Sequence, residues 1–149
     1  MLASKAKYGL KAMVYLARRE NEGPSLIIDI ATAEHIPRKF LDTILLELKT
    51  HGFLSSKKGK GGGYQLAVPA AHIRVGDVIR VLDGPLAPVP CVSRRSYRPC
   101  TDCADEAACA VRAVMQDVRD AIAGILDNTT LADMARRTVK VEPVLMYDI

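Results

Sequence analysis

The chain has 149 residues, of which 49% are hydrophobic and 26% charged, so its length fits one domain of ordinary size and its composition is not that of a disordered protein. Its net charge of +4 is mildly basic, which alone is weak evidence for a polyanionic partner. No stretch approaches the ~20 apolar residues of a membrane helix, and the N-terminus lacks the order of a signal peptide, so we expect a cytoplasmic protein that does not contact a membrane.

The first third of the chain has the apolar spacing of three helices. Apolar residues recur every three to four positions over 4–20. Ser25 suits the cap of the next helix, which is predicted at 26–34. After a turn at 35–36, a second amphipathic helix is predicted at 37–51, and this pair is typical of a helix-turn-helix. The apolar side of the second helix consists of Phe40, Leu41, Ile44, Leu45 and Leu48.

A β-hairpin is predicted directly after the helix pair, and we call it the wing (52–68). A strand begins at 52–56, a basic and glycine-rich loop occupies 57–63, and an alternating strand returns over 64–68. The glycine run leads into a strand, whereas the phosphate-binding loop of a nucleotide enzyme leads into a helix. The segment therefore favours a winged helix-turn-helix over a nucleotide site.

The second half of the chain is predicted to contain one long helix at about 106–127, with a single apolar stripe. A helix of ~20 residues is ~30 Å long. The rest of the chain is small, so part of this stripe is expected to pack on another subunit.

These elements predict a mostly α-helical fold with a small β-hairpin. Residues 1–70 form a winged helix-turn-helix DNA-binding domain in this interpretation. Residues 71–149 contain a cysteine-bearing loop at 91–109, the long dimerisation helix and a C-terminal tail.

Basic residues concentrate around the helix pair and the wing. Two of them begin the second helix, the end that a recognition helix presents to base edges. The wing lysines would meet phosphates or the minor groove, and the glycines would let the backbone approach the duplex. The alternative is a solvated basic face beside an ordinary mobile hairpin. The residues predicted to bind DNA are Arg38, Lys39, Asp42, Lys57, Lys58, Lys60, Gly61, Gly62 and Tyr64.

The cysteines form a patch in the second half, with gaps of eight, two and five residues between Cys91, Cys100, Cys103 and Cys109. This spacing is neither that of a zinc ribbon nor that of a bacterial ferredoxin. A loop and a helix start can bring three thiolates round one iron–sulfur cluster, and a helix N-terminus favours thiolates. Zinc, a disulfide switch and inert thiols remain alternatives. No catalytic set is visible, so we do not expect an enzyme.

Three segments resemble one protein family. Residues 4–13 look like its opening helix, residues 36–41 like the start of its recognition helix, and residues 59–66 like its wing. The chain resembles, to about Leu131, the Rrf-type winged helix-turn-helix transcription regulators (IscR/NsrR/RirA-like). The resemblance implies a homodimer with paired long helices, a palindromic double-stranded DNA operator and an iron–sulfur cluster.

The resemblance also assigns ligands by position. The family's three cysteine ligands match Cys91, Cys103 and Cys109, and Cys100 is an extra thiol that could be the fourth ligand. Arg112 stands where the cluster-assembly regulator has a histidine, and Lys7 where the nitric-oxide sensor has an aspartate. We therefore predict a repressor that senses iron, redox state or nitric oxide through a cluster, with 2Fe–2S favoured over 4Fe–4S. The alternative is a metal-free, thiol-based redox switch.

Overall fold

The computed structural model describes residues 2–137, and the predicted C-terminal tail from residue 138 onward lies outside them. The described part consists mainly of α-helices with one antiparallel two-stranded hairpin, so the predicted fold class is confirmed. The elements are α1 (Ser4–Ala17), α2 (Ile27–Glu34), α3 (Arg38–Thr50), β1 (Leu54–Lys57), β2 (Gly63–Leu66), α4 (Val75–Asp83), α5 (Ala110–Leu126) and α6 (Leu131–Arg136). None of the described helices combines the length and the apolar character needed to cross a membrane.

The core is built around α1, which packs against α3, α4 and α6. Leu41, Ile44 and Leu45 of α3 are buried in it, as the spacing predicts. The same core takes in Val78 of α4 and Leu131 of α6, so it continues past residue 70. The division of the chain at residue 70 stays a prediction, because side chains from both sides of it share this core.

Phe40 corrects one expectation about α3. Its side chain is 62% exposed, although the sequence placed it on the apolar side of the helix. At 100° per residue, Phe40 lies roughly 90° from the centre of the stripe that the buried leucines and isoleucine define. The helix therefore turns this ring toward solvent.

Ser25 does not cap α2, contrary to the sequence-based expectation. Helix α2 begins at Ile27 without a side-chain cap, and Ser25 forms a β-bridge with Tyr64 of the wing. The two residues exchange backbone hydrogen bonds of 2.8 Å in both directions. Gly63 permits this approach, because a Cβ atom there would lie 2.1 Å from the Ser25 carbonyl oxygen. The segment before α2 thus holds the wing in place.

The turn between α2 and α3 lies where the sequence predicts it. His35 ends α2 in the left-handed conformation, with φ of 54°. Ile36 is buried, and Pro37 precedes the first turn of α3 with its N-terminal cap geometry. The buried isoleucine anchors the turn and so fixes the angle at which α3 leaves it.

Helix α5 stands apart from the core, and none of its residues is buried in the single chain. It begins at Ala110 rather than near residue 106, because Cys109 takes the N-cap position and accepts a hydrogen bond from the Arg112 backbone. Its far end is tied to the core by backbone hydrogen bonds, since the Val75 N–H donates to the Thr129 carbonyl over 2.9 Å. The exposed apolar side chains along it are Val111, Val114, Val118 and Ile125.

A charged pair fastens the end of α5 to α4. Arg80 donates two hydrogen bonds of 2.7 Å to the two carboxylate oxygens of Asp127. Both side chains are largely shielded from solvent. The hydrogen bonds from Arg80 are the main reason why the pKa of Asp127 lies below its ordinary value. The pair therefore stabilises the junction only while the carboxylate is ionised.

Replacing Asp127 with asparagine is expected to lower the free energy of unfolding by about 1–2 kcal/mol at neutral pH. The folded-state pKa is depressed, so this stability is present above the unfolded-state value of ~3.9 and is lost as the pH falls through the folded value. Denaturant unfolding at neutral and acidic pH measures the difference, with Asp117→Asn on the exposed surface of α5 as the control. An equal loss at both pH values would contradict the ion-pair explanation.

Candidate nucleic-acid interface and cysteine segment

The N-terminal end of α3 presents charged side chains to solvent. Arg38 is the first residue of the helix, and Arg38, Lys39 and Asp42 are all exposed. The inner side of the helix is held in the core by Leu41 and Leu48. The packing therefore leaves this end free to enter a groove, as a recognition helix requires.

The basic residues of α3 and the wing are not neutralised by the rest of the described chain. Lys5 of α1 pairs with Glu47, but the predicted DNA-binding cations take part in no salt bridge within residues 2–137. Their charge is therefore available to the phosphates of a duplex. These cations are Arg38, Lys39, Lys57, Lys58 and Lys60.

The glycines of the wing have different surroundings. Gly61 is exposed, with φ of 77°. Gly62 is buried in the turn, where its N–H donates to the Gly59 carbonyl over 3.0 Å. A Cβ atom at Gly62 would lie 2.3 Å from the Lys57 carbonyl oxygen. Gly62 is thus required by the turn itself, whereas Gly61 is open to a partner.

Tyr64 joins the wing to the segment before α2, and its phenol lies within electrostatic range of Asp42 of α3. Burial, followed by the negative charge of Asp42, raises the pKa of the Tyr64 phenol above its ordinary value. The ring is half-buried, and its backbone is the one bridged to Ser25. Asp42 and Tyr64, both predicted to bind DNA, are therefore near enough for the charge of one to act on the other.

The structure shows exposed apolar side chains on α3 and α2 that the sequence pattern did not predict to be exposed. Phe40 and Leu46 are exposed on α3, and Leu26 and Ile28 are exposed at the start of α2. Apolar side chains on a recognition helix can contact the methyl groups of thymine. A helical wheel of α3 predicts that Phe40 is exposed, because this residue lies off the buried stripe.

The four thiols lie in different environments. Cys91 is buried, Cys109 is half-buried at the N-cap of α5, and both Cys100 and Cys103 are exposed. The Arg98 N–H donates to the Pro90 carbonyl over 3.2 Å, which folds the loop back on itself. Desolvation, followed by the nearby Cys91, raises the pKa of the Cys100 thiol.

This conformation does not assemble the predicted ligand set. Within residues 2–137, no three cysteine, histidine, aspartate or glutamate side chains lie close enough together to hold a metal ion. The soft thiolate donors suit iron–sulfur chemistry, and in the described conformation three of them are not gathered at one point. The assignment of Cys91, Cys103, Cys109 and Cys100 as ligands stays a prediction.

Arg112, in the first turn of α5, forms an ion pair with Glu106 of the preceding loop. Its Nε lies 3.2 Å from Glu106 Oε1. The Tyr97 hydroxyl donates to Glu106 Oε2 over 2.7 Å, and this hydrogen bond is the first cause of the raised pKa of Tyr97. The backbone N–H of Arg112 meanwhile donates to Cys109 Sγ over 3.4 Å. Arg112 thus joins the loop before α5 to the first turn of the helix.

Comparison with known proteins identifies relatives along nearly the whole described chain. The Rrf2 family model, described as an iron-dependent transcriptional regulator, matches residues 2–137. An rrf2-like HTH-type transcriptional regulator of Rhodobacter capsulatus is 42% identical over 137 residues, which cover 90% of this chain and 91% of the relative.

Two solved structures have a similar fold. CymR, the global cysteine regulator of B. subtilis, superposes with a TM-score of 0.76 at 34% identity, covering 91% of this chain and 95% of CymR. T. potens IscR superposes with a TM-score of 0.71 at 31% identity, covering 90% of this chain and 85% of IscR. The relatives are transcriptional regulators, which agrees with the expectation that the chain is not an enzyme.

Proposed function

Because this chain belongs to the Rrf2 family of transcriptional regulators, we propose that it is a cytoplasmic homodimer that represses transcription from a palindromic operator and changes its DNA affinity through its cysteine segment. The observation that carries the DNA-binding part is the set of exposed cations without salt bridges at the start of α3 and on the wing. Clustered unneutralised cations on a helix end and a hairpin match the needs of groove and phosphate contacts.

The exposed apolar side of α5 supports the dimer. Val111, Val114 and Val118 follow one another at intervals of three and four residues, so they line one side of the helix. Exposing an apolar stripe of this length to water is unfavourable in free energy. Packing against the same stripe of a second copy would bury it. Two winged units joined in this way would match the two halves of a palindrome.

We propose an iron–sulfur cluster, 2Fe–2S in preference to 4Fe–4S, as the primary sensor. Two points support it: the matched family is described as iron-dependent, and four thiols lie within one segment of the chain. Thiolates are the usual protein ligands of such clusters. Since the described conformation does not bring three donors together, cluster binding would require the segment 91–109 to rearrange.

A metal-free thiol switch is the second candidate, and the proximity of Cys91 and Cys100 favours it. With a peroxide as oxidant, the two thiols would lose two electrons and two protons to form a disulfide, while the peroxide is reduced to water. Cys91 is buried and Cys100 is exposed, so Cys100 would meet the oxidant first.

Anaerobic purification with iron and sulfide analysis tests the sensor. We expect coloured protein that contains iron and sulfide, and we expect Cys109→Ser to lose most of both, because it removes one of the three predicted ligands. Cys100→Ser shows whether the extra thiol is a ligand. Colourless protein without iron after anaerobic reconstitution would exclude the cluster and leave the DNA-binding proposal standing. A peroxide-induced disulfide between Cys91 and Cys100 in such iron-free protein, found by peptide mapping, would then support the thiol switch.

A further inference from the structure

A cavity of about 730 Å³ lies between the end of α4, the loop 84–96 and the C-terminal half of α5. Its size is in the range of small-molecule sites, roughly 300–1,000 Å³. None of its lining residues comes from α3 or the wing. The charged side chains that line it are Arg80, Arg94, Arg95, Arg119, Asp120 and Asp127.

The charges of this cavity do not balance. The two hydrogen bonds from Arg80 occupy both carboxylate oxygens of Asp127. Arg119 and Arg94 share one oxygen of Asp120, at 2.7 Å and 3.2 Å. Arg95 forms no salt bridge with any residue that the structure describes. The lining therefore has four guanidinium groups and two carboxylates, an excess of two positive charges. Asp77 lies outside the lining and pairs with both Arg80 and Arg74, at 3.1 Å and 3.0 Å, so it does not remove this excess.

The Arg119 side chain and the backbone turn that carries Arg94 and Arg95 are held in place before any ligand arrives. Arg119 has only 15% of its side chain exposed and donates to the Val92 carbonyl over 2.6 Å. The Ser96 N–H donates to Ser93 Oγ over 3.0 Å, which fixes the turn that carries Arg94 and Arg95. A site whose walls are already ordered loses less entropy when it binds a ligand.

We propose that this cavity binds a small dianion, either a phosphate compound or a dicarboxylate, and that Arg94 and Arg95 are its charge-bearing contacts. Guanidinium groups match the planar oxygen pairs of carboxylates and phosphates with paired hydrogen bonds. The bound dianion supplies the two negative charges that the lining lacks. It also joins the loop that follows Cys91 to α5, and so stabilises their described arrangement. The proposal does not depend on whether the cysteine segment binds a cluster.

Calorimetric titration of the purified full-length protein with inorganic phosphate and, separately, with succinate tests the proposal against sodium chloride of matched ionic strength. We expect saturable binding of one of the two dianions, and the stronger of the two identifies the ligand class. Arg95→Ala is expected to weaken this binding at least about tenfold, as the loss of a charged contact should. Arg98→Ala is the matched control, because it is an exposed arginine of the same loop that does not line the cavity, and it should bind as the unaltered protein does.

Three results would overturn this inference. One is the lack of binding of either dianion at millimolar concentration beyond the sodium chloride control. Another is an equal loss of affinity in Arg95→Ala and Arg98→Ala, which would indicate general electrostatic attraction. The third is displacement of the dianion by a stoichiometric DNA duplex, which would assign the arginines to nucleic acid. Because Arg94 and Arg95 are exposed, their replacement should not unfold the chain, and circular dichroism verifies this.

Discussion

Replacing Val114 with glutamate is expected to convert the protein to monomers and to weaken operator binding by ~10²–10⁴-fold. The valine lies on the exposed apolar side of α5 with 56% of its surface accessible. A glutamate there would place a charge in each copy of the proposed interface, where like charges repel and lose their water. Two separate winged units then bind the two half-sites independently, so the benefit of linkage is lost.

Ala113→Glu is the matched control for this change. It adds the same side chain at the neighbouring exposed position, which helical geometry turns away from the valine stripe. Analytical ultracentrifugation gives the oligomeric state, and fluorescence anisotropy on a duplex selected in vitro by the unaltered protein gives the affinity. If Val114→Glu remained dimeric, or if Ala113→Glu dissociated equally, α5 would not be the interface.

Arg38→Ala is expected to weaken binding to the selected operator by about 30-fold or more, since each lost base contact costs about 1–3 kcal/mol and a dimer loses two. It should also relax the sequence preference of the half-site, because the start of α3 would face the base edges. Lys49→Ala is the control on the same helix, since eleven residues place it roughly 16 Å further along the axis. A larger effect at Lys49 than at Arg38 would mean that the helix docks in another way.

Lys58→Ala separates phosphate contacts from base contacts. It should weaken all sequences about equally and lower the salt dependence of binding by about one unit for each lost phosphate contact. Affinity measured over a range of salt concentrations on selected and random duplexes gives both values. A change of sequence preference in Lys58→Ala would place this lysine at the bases instead.

The elements could be predicted from the sequence where a local pattern determines them. The buried stripe of α3 and the turn at His35 follow from apolar spacing and a break in it. Ser25 could not be predicted, because its partner Tyr64 is 39 positions away and the bridge exists only once the wing has folded back. A serine before a helix has the same local pattern whether it caps the helix or pairs with a strand.

In the candidate site, too, some features follow from the local sequence pattern and others depend on how distant segments fold together. The exposure of Arg38 and the wing lysines follows from local pattern, since charged residues beside buried stripes lie outward. The arrangement of the thiols depends on how the loop 91–109 folds, and spacing along the chain does not determine it. The sequence predicts three cysteines round one cluster, and this assignment stays a prediction. In the described conformation Cys91 is buried, Cys109 is half-buried, and Cys100 and Cys103 are both exposed.

Helix α5 is joined to the core at its C-terminal end and carries a thiol at its N-terminal end. Between these ends, Arg119 ties the helix to the Val92 carbonyl, in the loop beside Cys91. Its C-terminal end is held by Arg80 and by backbone hydrogen bonds to the start of α4. Its 17 residues place Cys109 about 25 Å from that pivot. Over such an arm, a displacement of about 2 Å at the sulfur corresponds to a rotation of only about 5° at the pivot. A chemical change at Cys109 could therefore displace the N-terminal end of α5 by a large distance, while the helix rotates by only a small angle beside the DNA-binding core.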